Sequence, residues 1–116
     1  MVKENLRILV VDDEKDYCEV LKMILENNGY VVETCFNGKE ALDILEERSF
    51  DVVVSDLSMP VMDGFAVLEE MDRQKMLEDI PVIMISSEDK VDAMRRAFDL
   101  GASDYISRPF DARVVC

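Results

Sequence analysis

Solid apolar runs alternate along the chain with stretches whose apolar residues recur at helical spacing. Ile8-Leu9-Val10-Val11, Val52-Val53-Val54 and Val82-Ile83-Met84-Ile85 are unbroken, the pattern of strands buried on both faces of a parallel sheet. They predict strands over 6–11, 51–56 and 81–87. Residues 30–35 and 103–107 mix polar and apolar positions and predict strands at the edges. Between the strands the period lengthens. Over 14–28, Tyr17, Val20, Leu21, Ile24 and Leu25 share a helical face, and Asn28-Gly29 supplies a stop. Asn37 has the character of an N-cap with Glu40 three residues on, an approximate capping box opening a helix to Glu47. Ala41, Leu42, Ile44 and Leu45 turn to its core side. Further helices are predicted over 64–72, over 88–100 with Gly101 closing it, and from 110 to 116.

Five strand–helix units in succession, joined by right-handed crossovers, give an α/β fold: a doubly wound five-stranded parallel sheet with helices on both faces. With the half-polar strands at the edges, the order is 2-1-3-4-5, the flavodoxin-like arrangement. Ligands in such sheets bind beyond the carboxyl ends of the strands, where strand order reverses. Strands one and three meet there. The first ends in Asp12-Asp13-Glu14 and the third in Asp56.

Composition narrows the chemistry. The 116 residues fit one domain. A formal net charge of −13 repels nucleic acid and anionic membrane surfaces alike. The absence of histidine removes the commonest general base and an internal phosphoryl carrier. The 3 cysteines, Cys18, Cys35 and Cys116, lack CxxC spacing and suggest neither a disulfide framework nor a zinc site. Cys18 and Cys35 read as small residues in or near the core. With no apolar run of membrane-spanning length and no signal peptide pattern, a reducing cytoplasm is the expected compartment.

Acids after a strand commonly serve the next helix as caps, and Asp12, Asp13 and Glu14 suit a helix start. That role does not explain carboxylates arriving from two separate strands at one crevice. Their mutual repulsion calls for a hard divalent cation such as Mg2+, or for a proton shared among them. A carboxylate beside Mg2+ can also act as a nucleophile and form an aspartyl phosphate. Ser86, ending strand four, and Arg108, just after strand five, would add a hydroxyl and a positive charge suited to phosphoryl oxygens.

The ordered set "LVVDDE" (9–14), "SDLSMPVMDG" (55–64), "MISS" (84–87) and "GASDYISRPF" (101–110) closely resembles the receiver domain of two-component response regulators, over essentially the whole chain. The resemblance implies that Asp56 is the phospho-acceptor and that Asp13 ligates Mg2+ directly, with Asp12 acting partly through water. It makes the Ser58 backbone carbonyl a further ligand. Ser86 then contacts the phosphoryl group and moves on activation, and Tyr105 is the switch aromatic that turns inward with it. The Arg108-Pro109 bond is expected to be cis, and Gly64 and Gly101 to serve backbone geometry. One departure stands out: the family almost always has lysine where Arg108 stands, so charge is kept and shape is not. Ser58 and Glu88 occupy positions that in the family tune dephosphorylation.

The function implied is a phosphorylation-dependent switch, not a classical enzyme. A sensor histidine kinase or phosphotransfer protein donates to Asp56, and the 88–116 surface then changes partners, with a C-terminal output domain or a homodimer as the next link. No direct contact with nucleic acid or membrane is expected. A pseudo-receiver, unphosphorylated because of Arg108, is the alternative. A haloacid-dehalogenase-type phosphohydrolase is more remote, since its Asp-x-Asp nucleophile motif is here Asp56-Leu57-Ser58. A flavin carrier is disfavoured because Asp12-Asp13-Glu14 would repel the flavin phosphate. The chain is expected to be the N-terminal part of a longer protein, with a short last helix that leaves apolar surface near strands one and five, and with Cys116 as a mobile thiol.

Overall fold

The unbroken apolar runs form the inner strands, and the lengthened periods between them form the helices. The computed structural model describes residues 6–57, 59, 62–86 and 91–107. In chain order these contain β1 (Arg7–Val11), α1 (Lys15–Asn27), β2 (Val31–Cys35), α2 (Gly38–Glu47) and β3 (Val52–Asp56). They continue with α3 (Gly64–Arg73), one 3-10 turn (Met76–Glu78), β4 (Val82–Ser86), α4 (Val91–Asp99) and β5 (Asp104–Ser107). All strand pairs are parallel, and the order is β2-β1-β3-β4-β5. The half-polar strands thus lie at the edges, as their pattern predicts. The 3-10 turn carries no strong signal and is not anticipated by the sequence. The final helix expected over 110–116, with Cys116, lies outside the described residues.

Strand alternation sorts the core into two layers. Leu9, Val11, Val53, Val82, Met84 and Tyr105 face α2, α3 and α4, where they meet Ala41, Leu45, Val67, Leu68, Met71 and Ala97. Ile8, Val10 and Val32 face α1 and pack with buried Cys18 and half-buried Leu21 and Leu25. Cys18 and Cys35 are both buried. The expected face of α1 needs correction, because Val20 and Ile24 are 48% and 46% exposed. The apolar arc of α1 is wider than the strip that the sheet covers, and contact centres on Cys18, Leu21 and Leu25 at helical spacing.

Local chemistry sets the helix starts. The Asn37 side chain accepts the Glu40 N–H at 2.9 Å, and Glu40 Oε1 accepts the Phe36 N–H at 3.1 Å, a reciprocal arrangement like the capping box read from sequence. Asp63 caps α3 by accepting the Ala66 N–H at 2.9 Å. Gly64 follows it because a Cβ there would lie 2.7 Å from the Asp56 carbonyl oxygen and 2.9 Å from Leu57 Cα. Gly101 closes α4 at φ +112°, a conformation that a Cβ disfavours.

Candidate functional site

Pairing of β1 with β3 places Val11 opposite Ser55, so the residues that follow both strands emerge side by side. Asp12, Asp13 and Asp56 each offer a carboxylate oxygen within 4.8 Å of the others. Asp12 and Asp56 are buried, at 2% and 4% exposure, and Asp13 opens to solvent. The backbone N–H of Asp12 donates to the Cys35 carbonyl at 3.1 Å, which ties the end of β1 to the end of β2. Asp12 Oδ1 accepts the Glu14 N–H at 2.9 Å. This bond closes a turn just ahead of α1, but Glu14 stands at the N-cap and makes no side-chain cap bond, so the helix-cap reading is not met: Asp12 orders the approach to the helix instead. That role accounts for one acid of the three.

At this separation, and at an effective dielectric near 20, each ionised pair repels by on the order of 3 kcal/mol. A cation or a retained proton must offset this. The donor set consists of carboxylate oxygens, two shielded and one wet, which suits a small hard cation that keeps part of its water shell. Mg2+ fits these residues. Zinc, which favours nitrogen and sulfur, fits them less well.

The adjoining strands bring the other expected groups near. Asp56 pairs with Ile85, which puts Ser86 at the end of the neighbouring strand, and Ser86 is buried. Ser86 follows Met84 in alternation, and Met84 pairs with Tyr105 on β5. Ser86 and Tyr105 thus belong to the layer facing α2, α3 and α4. Tyr105 is 8% exposed, so its ring already lies inward in this structure. Ser58, Glu88, Arg108 and Pro109 lie outside the described residues.

Two contacts beside the acids were not read from the sequence. Ser55 Oγ donates to the Asp56 carbonyl at 3.0 Å. A serine interrupting an apolar strand is a signal that could have pointed to it. The Cys18 thiol donates to the Asp12 carbonyl at 3.3 Å, and no local pattern announces that contact. Burial pushes both the Cys18 and the Cys35 thiols up to about 12, and Asp12 adds to the effect at Cys18. Both therefore stay protonated at neutral pH.

Comparison with known proteins points one way. The family model for the response regulator receiver domain matches residues 8–116. The two-component response regulator ORR26 of Oryza sativa subsp. japonica is 42% identical over 90% of this chain and 18% of its own length. Response regulator SaeR of Staphylococcus aureus is 38% identical over 91% of this chain and 45% of its own. The chain thus spans less than half the length of these relatives. Among solved structures, the receiver domain of Francisella response regulator 1452 superposes with a TM-score of 0.86 at 32% identity, covering 96% of this chain and 90% of that one. The response regulator TrrA of Thermotoga maritima, in complex with Mg(2+)-BeF, gives 0.81 at 30% identity, covering 95% and 92%.

Proposed function

Since the chain belongs to the response regulator receiver domain family, we propose that its acid pocket accepts a phosphoryl group on Asp56 with Mg2+ held by Asp12, Asp13 and Asp56. The observation that carries this reading is the convergence of the three carboxylates, two of them buried, at the carboxyl ends of adjacent strands. The Thermotoga maritima relative in complex with Mg(2+)-BeF supports it. Ser58 would add its backbone carbonyl to the ligand set.

The donor is a phosphohistidine of a sensor kinase or phosphotransfer protein. An Asp56 carboxylate oxygen attacks phosphorus, the P–N bond breaks, and the departing imidazole takes a proton. Bound Mg2+ would offset charge on the transferred oxygens. The Ser86 hydroxyl donates to one of those oxygens, and the Arg108 guanidinium pairs with another. As Ser86 moves to make that bond, space beside Tyr105 changes on the same sheet layer, and the surface of α4 and β5 follows. The chain would act in the cytoplasm as one part of a longer regulator, as the greater length of its relatives suggests. Among the described residues no helix is long and apolar enough to cross a membrane.

A small phosphodonor such as acetyl phosphate, supplied with Mg2+, tests the reading by intact-mass measurement. One phosphoryl adduct is expected on the wild-type chain and none on Asp56→Asn. A wild type that stays unmodified with several donors and a cognate kinase would contradict it. If Arg108→Lys then gained the adduct, the pseudo-receiver reading would replace it.

A further inference from the structure

We infer that Cys18 is a positioning residue of the acid pocket, its thiol holding the Asp12 backbone so that the Asp12 and Asp13 carboxylates converge with Asp56. The inference rests on the metal reading above and extends it to a residue outside the ligand set. Asp12 leaves β1 just beyond its last ladder pair with β3, Val11 with Ser55, and its N–H keeps a backbone bond on the β2 side. Several bonds hold it there. Its N–H donates to the Cys35 carbonyl at 3.1 Å, its Oδ1 accepts the Glu14 N–H at 2.9 Å, and its carbonyl accepts the Cys18 thiol at 3.3 Å.

The thiol is well placed for this work. Cys18 is 1% exposed and lies one turn into α1, and its own N–H donates to the Glu14 carbonyl at 3.1 Å. Its sulfur also lies 4.0 Å from the Cys35 carbonyl that receives the Asp12 N–H. The thiol thus sits where the ends of β1, β2 and the start of α1 meet. A bond to the Asp12 carbonyl orients the peptide joining Asp12 to Asp13, and that peptide sets the relative aim of the two side chains. Cys18 and Cys35 belong to opposite core layers, so the pair does not form a disulfide without rearrangement.

Loss of an outer-shell partner typically weakens metal binding by about 10–100-fold. A thiol is a weak donor, so an effect of roughly 3–10-fold is expected. The test is thermal unfolding of the full chain across a MgCl2 series, for wild type, Cys18→Val, Cys18→Ala and Cys18→Ser. The concentration dependence of the shift reports affinity separately from each variant's metal-free melting point. Valine and alanine should need about 3–10 times more Mg2+, and serine, which restores a donor, should return close to wild type. Valine and alanine matching wild type would overturn the inference. So would a serine variant as weak as valine, since packing and not donation would then be responsible.

Amide exchange at Asp13 and Glu14 without metal separates this inference from the metal reading. Faster exchange in Cys18→Val than in Cys18→Ser supports the thiol's role even where wild type shows no response to Mg2+, a result that would sink the metal reading alone. Equal exchange in the two variants counts against the thiol.

Discussion

The two faces of the sheet are built from different materials. Both carry buried β-branched residues, Val11, Val53, Val67 and Val82 in the layer under α2, α3 and α4 and Ile8, Val10 and Val32 under α1, but only the former adds Met59, Met71 and Met84, with Met62, Met76 and Met94 packed against it. The layer under α1 contains Ile8, Val10 and Val32, with Val52 and Val54 half-buried beside them, and no methionine among the described residues. Methionine is unbranched and adapts to irregular space, whereas β-branched side chains are stiff at χ1. The acid pocket takes its anchor from the α1 side, where the Cys18 thiol reaches Asp12. Ser86 and Tyr105 lie on the methionine-bearing side. A site that must hold carboxylates in fixed geometry and yet transmit a change benefits from that division.

The largest test of the contrast is Met84→Ala. Truncation of a buried methionine typically costs about 2–5 kcal/mol, depending on how far the site collapses. A loss near the lower figure in chemical denaturation is expected here, because flexible neighbours can fill the space. A loss near the upper figure would show that this layer is as rigid as the other.

Gly64→Ala sharpens the same point. Its added Cβ would overlap Met84 Cε and lie 2.7 Å from the Asp56 carbonyl oxygen. The methionine end can give way, but the backbone at the end of β3 cannot without moving the Asp56 carboxylate. Overpacking of this kind typically costs about 1–3 kcal/mol. Combining Gly64→Ala with Met84→Ala should not rescue phosphorylation of Asp56. Rescue would identify Met84 as the obstacle and show that this glycine does not protect the Asp56 backbone.

A smaller effect is shared by both faces, which carry one buried thiol each. Cys18 and Cys35 are raised in the fold from 9.0 to about 12. A raised folded value favours the protonated thiol in the fold, so its contribution is fully present below pH 9 and is lost as pH climbs toward 12. Melting temperature should be unaffected by these groups at neutral pH and should fall above pH 9, with a shallower fall in Cys35→Ala. A profile flat to pH 11 would contradict the burial of both.

Much of this architecture is legible without coordinates. The three unbroken apolar runs announce the inner strands, the half-polar segments announce the edges, and the acids after β1 and β3 announce the pocket. What escapes is whatever depends on tertiary cover. Val20 and Ile24 have the same apolar character as Leu21 and Leu25, and only the width of the covering sheet separates exposed from half-buried. Cys18 reads as a small core residue because nothing in its neighbours reveals that the Asp12 carbonyl lies within reach. The inward position of Tyr105 escapes for a similar reason, since an aromatic on an edge strand is compatible with either face.

Anchoring of the pocket on the α1 layer and readout through the methionine-bearing layer are tested most directly by methyl NMR. Methionine methyls of the α2–α4 layer and the isoleucine and valine methyls under α1 would be followed as a small phosphodonor and Mg2+ are added, with Asp56→Asn as control. Met84, Met94 and Met62 are expected to shift with phosphorylation of Asp56 while Ile8, Val10 and Val32 barely move. Shifts of equal size on both layers, or shifts that persist in Asp56→Asn, would contradict that division.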